Sequence, residues 1–541
     1  MSTSKAKTKV LIGLSWPYAN GRLHIGHVAS SLPADAIARF HRKIGNDVSF
    51  ITGSDCFGTP ILVAALKEAI APEDLAGKYH ELHKKDFASM GFTFDNYTAT
   101  MFKPHLEFVQ KFHSEMYKGD YIYEKTAPQL YCEECHKYLP DRYVEGICPF
   151  CKKPAKGDSC DNCGKILEPE DLLEPKCKLC GATPKPRSTS QLYLKLSALE
   201  PKIREFFEAR KNDWTINAQG MTERYISEGL RDRAITRNIE WGVHMPKGKY
   251  KFDQSDWDEK RIYIWAENVL GYLSASKSEF IHDQKDKEKS DHDQTPTPTT
   301  HAFKHYYVHG KDNIPFHSII LPGLILAHGN GDAIYHLPDV IVASEYITVG
   351  GDKLSKSKGN QIFAYTLYEN FNVDMVRYFF LSVVSDKRDS NFSWDEFVNI
   401  INGELVNNFG NLVNRTLSFI KTKFDGLIPS APLEEKVEKE IESARTEHAD
   451  LMWHGKTANA LNRAMALVNF GNKYFADKKP WITEDKGVIA NVVQIIAAAV
   501  DMLEPFIPTA SQKVQKWLDG NKLGDIEILF ERLNKNEIRT N

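Results

Sequence analysis

Three things are scarce in this 541-residue chain. Cysteine is almost missing outside one stretch: of nine, only Cys56 lies beyond residues 132–180. Net charge is small, since 69 basic residues against 72 acidic ones leave −3. That excludes a global field drawing in nucleic acid, so any such contact must come from local basic patches. Long apolar runs are absent, none reaching the ~18 residues of a membrane span. The opening, Met1-Ser2-Thr3-Ser4-Lys5-Ala6-Lys7-Thr8-Lys9, lacks the apolar core of an export signal. A cytoplasmic location with no membrane contact is therefore expected. There, paired cysteines read as metal ligands rather than disulfides.

What is present is concentrated. Four Cys-x-x-Cys pairs, Cys132/Cys135, Cys148/Cys151, Cys160/Cys163 and Cys177/Cys180, fall in a region rich in Gly, Pro, Lys and Glu. Eight thiolates at this spacing are the ligand set of two tetrahedral Zn2+ sites. Four thiolates leave no open position for water, so such sites are structural. Spacing fits a nested arrangement of the pairs and does not exclude a sequential one. Cys56 reads as a buried apolar residue.

The rest is ordinary for a globular protein of two to four domains, with 42% apolar and 26% charged residues. Val10-Leu11-Ile12-Gly13-Leu14 predicts a buried parallel strand. A turn holding Pro17, Asn20 and Gly21 follows. Then comes a helical pattern with Ile37, Phe40 and Ile44 on one face, ending at Gly45. Val48–Thr52 reads as the next strand, and strand-turn-helix-strand opens a doubly wound sheet. Further strands are expected at Ile262–Trp265, Tyr306–His309 and Val340–Val342. Residues 283–300 are almost wholly polar and predict a solvated loop. From Phe397 to Leu518 the apolar spacing is helical and predicts a bundle.

Two motifs flank the cysteine region. His24-Ile25-Gly26-His27 opens the first helix, where unpaired N–H groups and the dipole suit a phosphate. Gly26 leaves room for a flat base, and the two histidines can donate to phosphate oxygens. Alone, the turn reads equally as a capped helix with two surface histidines. Downstream, Gly350-Gly351-Asp352-Lys353-Leu354-Ser355-Lys356-Ser357-Lys358-Gly359 puts two lysines on a glycine-hinged loop. That loop can close on a triphosphate as charge develops on leaving pyrophosphate. Alone, it reads as a solvated basic turn.

Together these motifs resemble the paired signatures of class I aminoacyl-tRNA synthetases, with Leu354 in place of the usual methionine. Gly310-Lys311-Asp312 resembles the segment whose acidic residue holds the ATP ribose. The cysteine knuckles, Pro17-Tyr18-Ala19-Asn20-Gly21, Phe316-His317 and Pro480-Trp481 resemble the methionyl-tRNA synthetase family over about residues 8–532.

The resemblance implies an α/β fold: a Rossmann-type doubly wound parallel sheet with a zinc-knuckle insert and a C-terminal α-helical bundle. It places the first catalytic half at 1–125 and the insert at 126–190. The second half follows at 191–345, the mobile lysine loop at 346–395 and an anticodon-binding domain at 396–541. It implies ligation of methionine to tRNA(Met) with ATP, and Mg2+ accompanying ATP. His24, His27, Lys353 and Lys356 would be catalytic, with Gly26, Gly310, Asp312 and Arg237 also at ATP. Asp55 would hold the α-ammonium, and Trp16, Tyr18, Trp265, Tyr272, Phe316 and His317 would wall the side-chain pocket. Asn411, Arg415 and Trp481 would read the anticodon. By the same resemblance Cys148, Cys151, Cys160 and Cys163 form one zinc site, and Cys132, Cys135, Cys177 and Cys180 a second.

Trp16 stands where the family usually has leucine, and Val269 where many members have proline. Trp16 keeps a synthetase for another small apolar amino acid open as an alternative. A non-catalytic zinc-ribbon nucleic-acid binder is the other. No appended dimer-forming domain follows Arg532, so a monomer is expected.

Overall fold

The structure, a computed structural model, describes residues 7–157, 160, 162, 163, 165, 167–281, 302–331, 333–350, 352–353 (backbone only) and 361–535. Lys356, the polar stretch 283–300 and the side chain of Lys353 lie outside the described residues.

The apolar run near the N-terminus forms strand β1 (Lys9–Leu14), buried along almost its whole length. With no polar alternation, such a strand is covered on both faces. Strands β2 (Asp47–Ser54), β3 (Asn96–Ala99), β4 (Phe303–Gly310) and β5 (Val340–Ser344) join it. All pairings are parallel, in the order β5-β4-β1-β2-β3. The chain moves outward from β1 and later returns on its other side as β4. Strand order therefore reverses between β1 and β4, and the crevice at those carboxyl ends is the place for a ligand.

Helix α1 (Ile25–Lys43) covers one face of the sheet. Its end departs from the sequence reading, since Ile44 is not on the core face but 50% exposed. Gly45 takes φ 86°, a left-handed position that glycine supplies, and the chain turns away before Ile44 can pack. Alternation along β1 divides two cores. Val10, Ile12 and Leu14 face α1 and the C-terminal helices. Leu11 joins Ile51, Tyr307 and Ile341 in the core that holds Trp16 and Tyr272.

Ile262–Trp265 is not one strand. A strand Lys260–Ile262 gives way to a helical turn at Ile264–Glu267. A four-residue apolar run does not distinguish the two by periodicity.

The insert is carried on a long antiparallel ribbon, Ile122–Cys132 against Lys185–Leu194. The cysteines lie at and beyond the end where Cys132 sits. Beyond β5 the chain is mainly helical: α2 (Val373–Val383), α3 (Asn411–Lys423), α4 (Glu435–Trp453), α5 (Thr457–Lys478), α6 (Lys486–Leu503) and α7 (Pro508–Leu518). Helix α6 is long and apolar enough to cross a membrane, but most of it is buried in the core of this bundle.

A buried ion pair helps fasten bundle to sheet. Arg377 of α2 and Asp35 of α1 meet at 2.7 Å, both side chains wholly buried. Arg377 also donates to the carbonyls of Phe506 and Pro505, just before α7. Asp35 accepts from Arg39 and Thr93 as well. Burial alone would raise the Asp35 carboxyl, but Arg377 and Arg39 outweigh it and hold its pKa below the ordinary value.

Candidate active site

A cavity of about 370 Å³ opens at the carboxyl ends of β1, β2, β4 and β5. Each strand end contributes the residues that follow it: Ser15–Tyr18 after β1, Asp55 after β2, Asp312 after β4, and Glu345–Ile347 after β5.

One wall is the start of α1. His24 is the N-cap, and its Nδ1 accepts from the Gly26 N–H at 3.1 Å. His27 Nδ1 in turn accepts from the His24 N–H at 3.2 Å. The two imidazoles thus cap the helix reciprocally, with ring centroids 3.9 Å apart. Accepting at Nδ1 fixes the neutral tautomer with its proton on Nε2, so each ring carries a donor there. Burial, with His24 and His83 nearby, pushes the His27 pKa well below its usual value. His27 is therefore a neutral donor, and the Nδ1 contact of His24 leaves its Nε2 as the donor of that ring. Across the cavity lies Asp312, which accepts a hydrogen bond from the Tyr346 hydroxyl.

The flanks of the lysine loop are held here too. Asp352 and Lys353 pair antiparallel with Thr348 and Val349, just past β5. Phe363 forms a bridge with His24: Ile25 N–H donates to Ile362 O at 2.9 Å, and Ala364 N–H donates to Leu23 O at 2.9 Å. One flank is thus tied to the strand after β5 and the other to the start of α1.

The other end of the cavity is aromatic and apolar. Trp16, Tyr18, Trp265, Val269, Tyr272, Phe316 and His317 line it. Trp265 and Phe316 meet edge to face at 4.8 Å. Phe316 and His317 start a short π-helix, Phe316–Ile320. His317 Nδ1–H donates to Asn313 O at 2.8 Å, so its Nε2 accepts from the Tyr272 hydroxyl at 2.8 Å. Burial lowers the His317 pKa to about 4, which keeps this ring neutral. The Trp16 indole fits a slot that two glycines leave open. A Cβ on Gly53 would lie 2.6 Å from the ring, and one on Gly271 2.8 Å from it.

Asp55 stands where the two ends meet. It is 1% exposed, and a parallel bridge to Tyr18 pins its backbone. Its oxygens accept from Phe57 N–H at 3.3 Å and Asn268 Nδ2 at 2.9 Å. Burial, then Glu267, pushes its pKa well above the ordinary value. Glu267 Oε1 lies 2.6 Å from His105 Nε2. The other His105 nitrogen faces Ser274 Oγ at 2.7 Å, and that hydroxyl donates to Gly271 O. His105 Nδ1 therefore carries the ring proton, and Nε2 accepts one from Glu267. Burial drives both groups the same way, with His105 down to about 3 and Glu267 well up. Burial raises Asp55 as well, so a bound cation is what would favour its ionised form.

Among the lining residues that sequence reasoning missed are Arg142, Asn268 and Glu345. Arg142 belongs to the cysteine insert, and its guanidinium lies 5.6 Å from the Tyr18 ring centroid. The signal was present in Leu139-Pro140-Asp141-Arg142, an uncapped charged turn beside apolar residues, but not its destination. Arg237, expected at ATP, does not line the cavity. It is 4% exposed, stacks on Tyr263 at 3.9 Å, and pairs with Asp141 at 3.6 Å and Glu168 at 3.5 Å. It holds the residue next to Arg142.

The eight knuckle cysteines converge in two groups, Cys132/Cys135/Cys177/Cys180 and Cys148/Cys151/Cys160/Cys163. This is the nested arrangement. Nearest Sγ–Sγ separations run from 3.4 to 3.9 Å. Tetrahedral zinc with Zn–S near 2.3 Å requires roughly 3.8 Å between sulfurs, so both groups fit that ion.

Far from the cavity, Asn411 and Arg415 share one face of α3. Arg415 lies 4.0 Å over the Phe475 ring, which stacks on Trp481 at 5.8 Å. Trp481 is 49% exposed.

Comparison with known proteins agrees with this geometry. The family model described as tRNA synthetases class I (M) matches residues 10–417. "Methionine--tRNA ligase 1" of Alkaliphilus oremlandii is 42% identical, covering 97% of this chain and 97% of its own. "Methionine--tRNA ligase" of Bacillus mycoides is 41% identical over 98% of this chain and 97% of its own. Among solved structures, Mycobacterium tuberculosis methionyl-tRNA synthetase in complex with methionyl-adenylate superposes with a TM-score of 0.76 at 20% identity, over 97% of this chain and all of that one. The chain belongs to the class I aminoacyl-tRNA synthetases, in the family of methionine–tRNA ligases.

Proposed function

We propose that this chain is a cytoplasmic ATP-dependent methionine–tRNA ligase. It joins methionine to AMP and passes the methionyl group to the 3′ end of tRNA(Met). One observation carries the reading: one cavity at the sheet's switch point is lined both by the phosphate-suited start of α1 at His24 and by the aromatic cluster at Trp16, with Asp55 in the same wall.

The chemistry needs no protein nucleophile. A methionine carboxylate oxygen attacks the α-phosphorus, and the bond to the bridging oxygen of pyrophosphate breaks. A ribose hydroxyl of the tRNA's terminal adenosine then attacks the acyl carbon and releases AMP. The protein contributes position and charge complementarity. His24 and His27 present Nε2–H donors to phosphate oxygens. Gly26 and Gly310 leave the adenosine side open, and Asp312 accepts from ribose hydroxyls. Lys353 and Lys356 close on the departing pyrophosphate, and Mg2+ arrives with ATP. Asp55 pairs with the α-ammonium. A thioether offers little beyond shape and polarisability. Contacts with Trp16, Tyr18, Trp265, Tyr272, Phe316 and His317 therefore discriminate it, each sulfur–aromatic contact worth about 0.3–1.5 kcal/mol.

The two four-cysteine groups hold structural Zn2+, which fixes the insert that carries Arg142. Arg415 and Trp481, joined by Phe475, with Asn411 on the same helix face as Arg415, form a surface for unpaired anticodon bases.

ATP–pyrophosphate exchange tests the reading when run with methionine against leucine, isoleucine, valine and cysteine. Exchange should require methionine. Exchange driven best by another amino acid reassigns the substrate, and none with any amino acid removes the enzyme.

A further inference from the structure

Residues 21–23, which lead into the His24 cap, are gripped from two sides. On one side stands the helix Pro72–Ser89. His83 Nε2–H donates from it to Gly21 O at 2.7 Å, and Asp86 Oδ1 accepts from the Arg22 guanidinium at 2.8 Å. On the other side stands the helix Ala364–Asn370. Ala364 N–H donates from it to Leu23 O at 2.9 Å, and the Tyr365 ring centroid lies 4.7 Å from the Arg22 guanidinium carbon. Asp86 Oδ1 joins the two helices, because it also accepts from the Tyr368 hydroxyl at 2.8 Å.

The contacts close a circuit. It runs from Asp86 to Arg22, along the turn to Leu23, across to Ala364, one helical turn on to Tyr368, and back to Asp86. The Asp86 side chain is wholly buried, and a buried carboxylate is costly without partners. Its Oδ2 has no hydrogen-bond partner among the described residues, so the bonds to Oδ1 carry the compensation. Burial is the main cause raising the Asp86 pKa, and the bonds from Tyr368 and Arg22 work against that rise. Asp86 is not among the residues lining the cavity. What the circuit fixes is the backbone directly before His24.

We propose that Asp86 is a positioning residue for the reaction at ATP: through Arg22 and Tyr368 it holds the turn that aims the Nε2–H donors of His24 and His27 at the phosphates. This rests on the reading above that the two histidines serve ATP. A donor misplaced by about 1 Å can cost ~10²-fold in rate, so a tie outside the cavity has a catalytic effect.

The test measures pyrophosphate exchange in wild type, Asp86→Ala and Tyr368→Phe. Loss of one hydrogen bond to a charged group should lower kcat/KM for ATP about tenfold in Tyr368→Phe, and more in Asp86→Ala. KM for methionine should change less than about twofold. Each change is then repeated with His24→Ala. If Asp86 acts through the histidine, its partner's loss should cost less than about threefold once that donor is gone. An unchanged kcat/KM for ATP overturns the proposal. A methionine KM that rises in step marks a merely structural role and overturns it too, as does a full tenfold cost without His24. Tyr368→Phe removes a single hydroxyl and carries the comparison should Asp86→Ala fold poorly. Wild-type exchange that ignores methionine, or that His24→Ala leaves unaltered, sinks the underlying reading instead, so the two failures are distinct.

Discussion

Trp16 shows how one side chain and two missing ones shape a pocket. The indole occupies space that Gly53 and Gly271 leave vacant. Replacing Trp16 with leucine should enlarge the cavity and admit longer thioether analogues. Their exchange rates relative to methionine should rise, and equal ratios would mean that the indole does not bound the substrate. Asp55 makes a prediction with a sign. The ammonium needs its ionised form, and burial raises its pKa. Lowering the pH should therefore raise the methionine KM, beginning at a higher pH than an ordinary carboxylate would give. Asp55→Asn should raise that KM ~10²-fold or more, since stripping a buried charge of its partner costs about 2–5 kcal/mol. It should also flatten the acid limb, and a KM profile identical to wild type would separate Asp55 from the amine. Residue types at the site were legible because motifs name them: His24, Gly26, His27, Asp55 and Asp312 all reached one cavity. Asn268 and Arg142 were not. Neither belongs to a spacing pattern, and each acquires its meaning only from a partner more than eighty residues away.

At the scale of elements, the cysteine insert lends Arg142 to the cavity wall, and the flanks of the lysine loop are anchored beside the same cavity. The loop's flanks are tied to β5's extension and to the backbone beside His24. Both ties lie beside the end of the cavity suited to phosphates. Lys356→Ala should slow pyrophosphate exchange by about 10²-fold or more, while methionine binding barely changes. Unaltered exchange would remove the loop from the mechanism. Zn2+ held by the two four-cysteine groups, as proposed, would couple the folding of the insert to the metal. Chelation should first loosen the insert and, through Asp141 and Arg142, weaken exchange. Far-UV signal from the bundle should persist. Loss of zinc with full activity would show that Arg142 needs no support from the knuckles. The strands and the knuckles were readable from apolar runs and spacing. The turn at Ile264–Glu267 was not, because four apolar residues carry no period.

For the whole molecule, the bundle is fastened to the sheet through one continuous apolar core and the Asp35–Arg377 pair. Replacing Arg377 with methionine leaves buried Asp35 with Arg39 as its remaining cation, which should destabilise by about 1–3 kcal/mol. Asp35 has a folded pKa below its unfolded one, so its contribution is present above about pH 4. It is lost as pH falls through the folded value. Acid unfolding of wild type should steepen in that window, and the variant should show a weaker component, Arg39 alone remaining beside Asp35. This link was invisible in the sequence, where two charges 342 residues apart look like surface residues on separate helices. The central claim is that one crevice holds the nucleotide and the amino acid end to end. A crystal structure with a non-hydrolysable methionyl-adenylate analogue tests it most directly. The account predicts adenosine beside Gly26 and Asp312, the α-ammonium on Asp55, and the thioether between Trp16 and His317. An analogue bound elsewhere, or one lying reversed in the cavity, would contradict it.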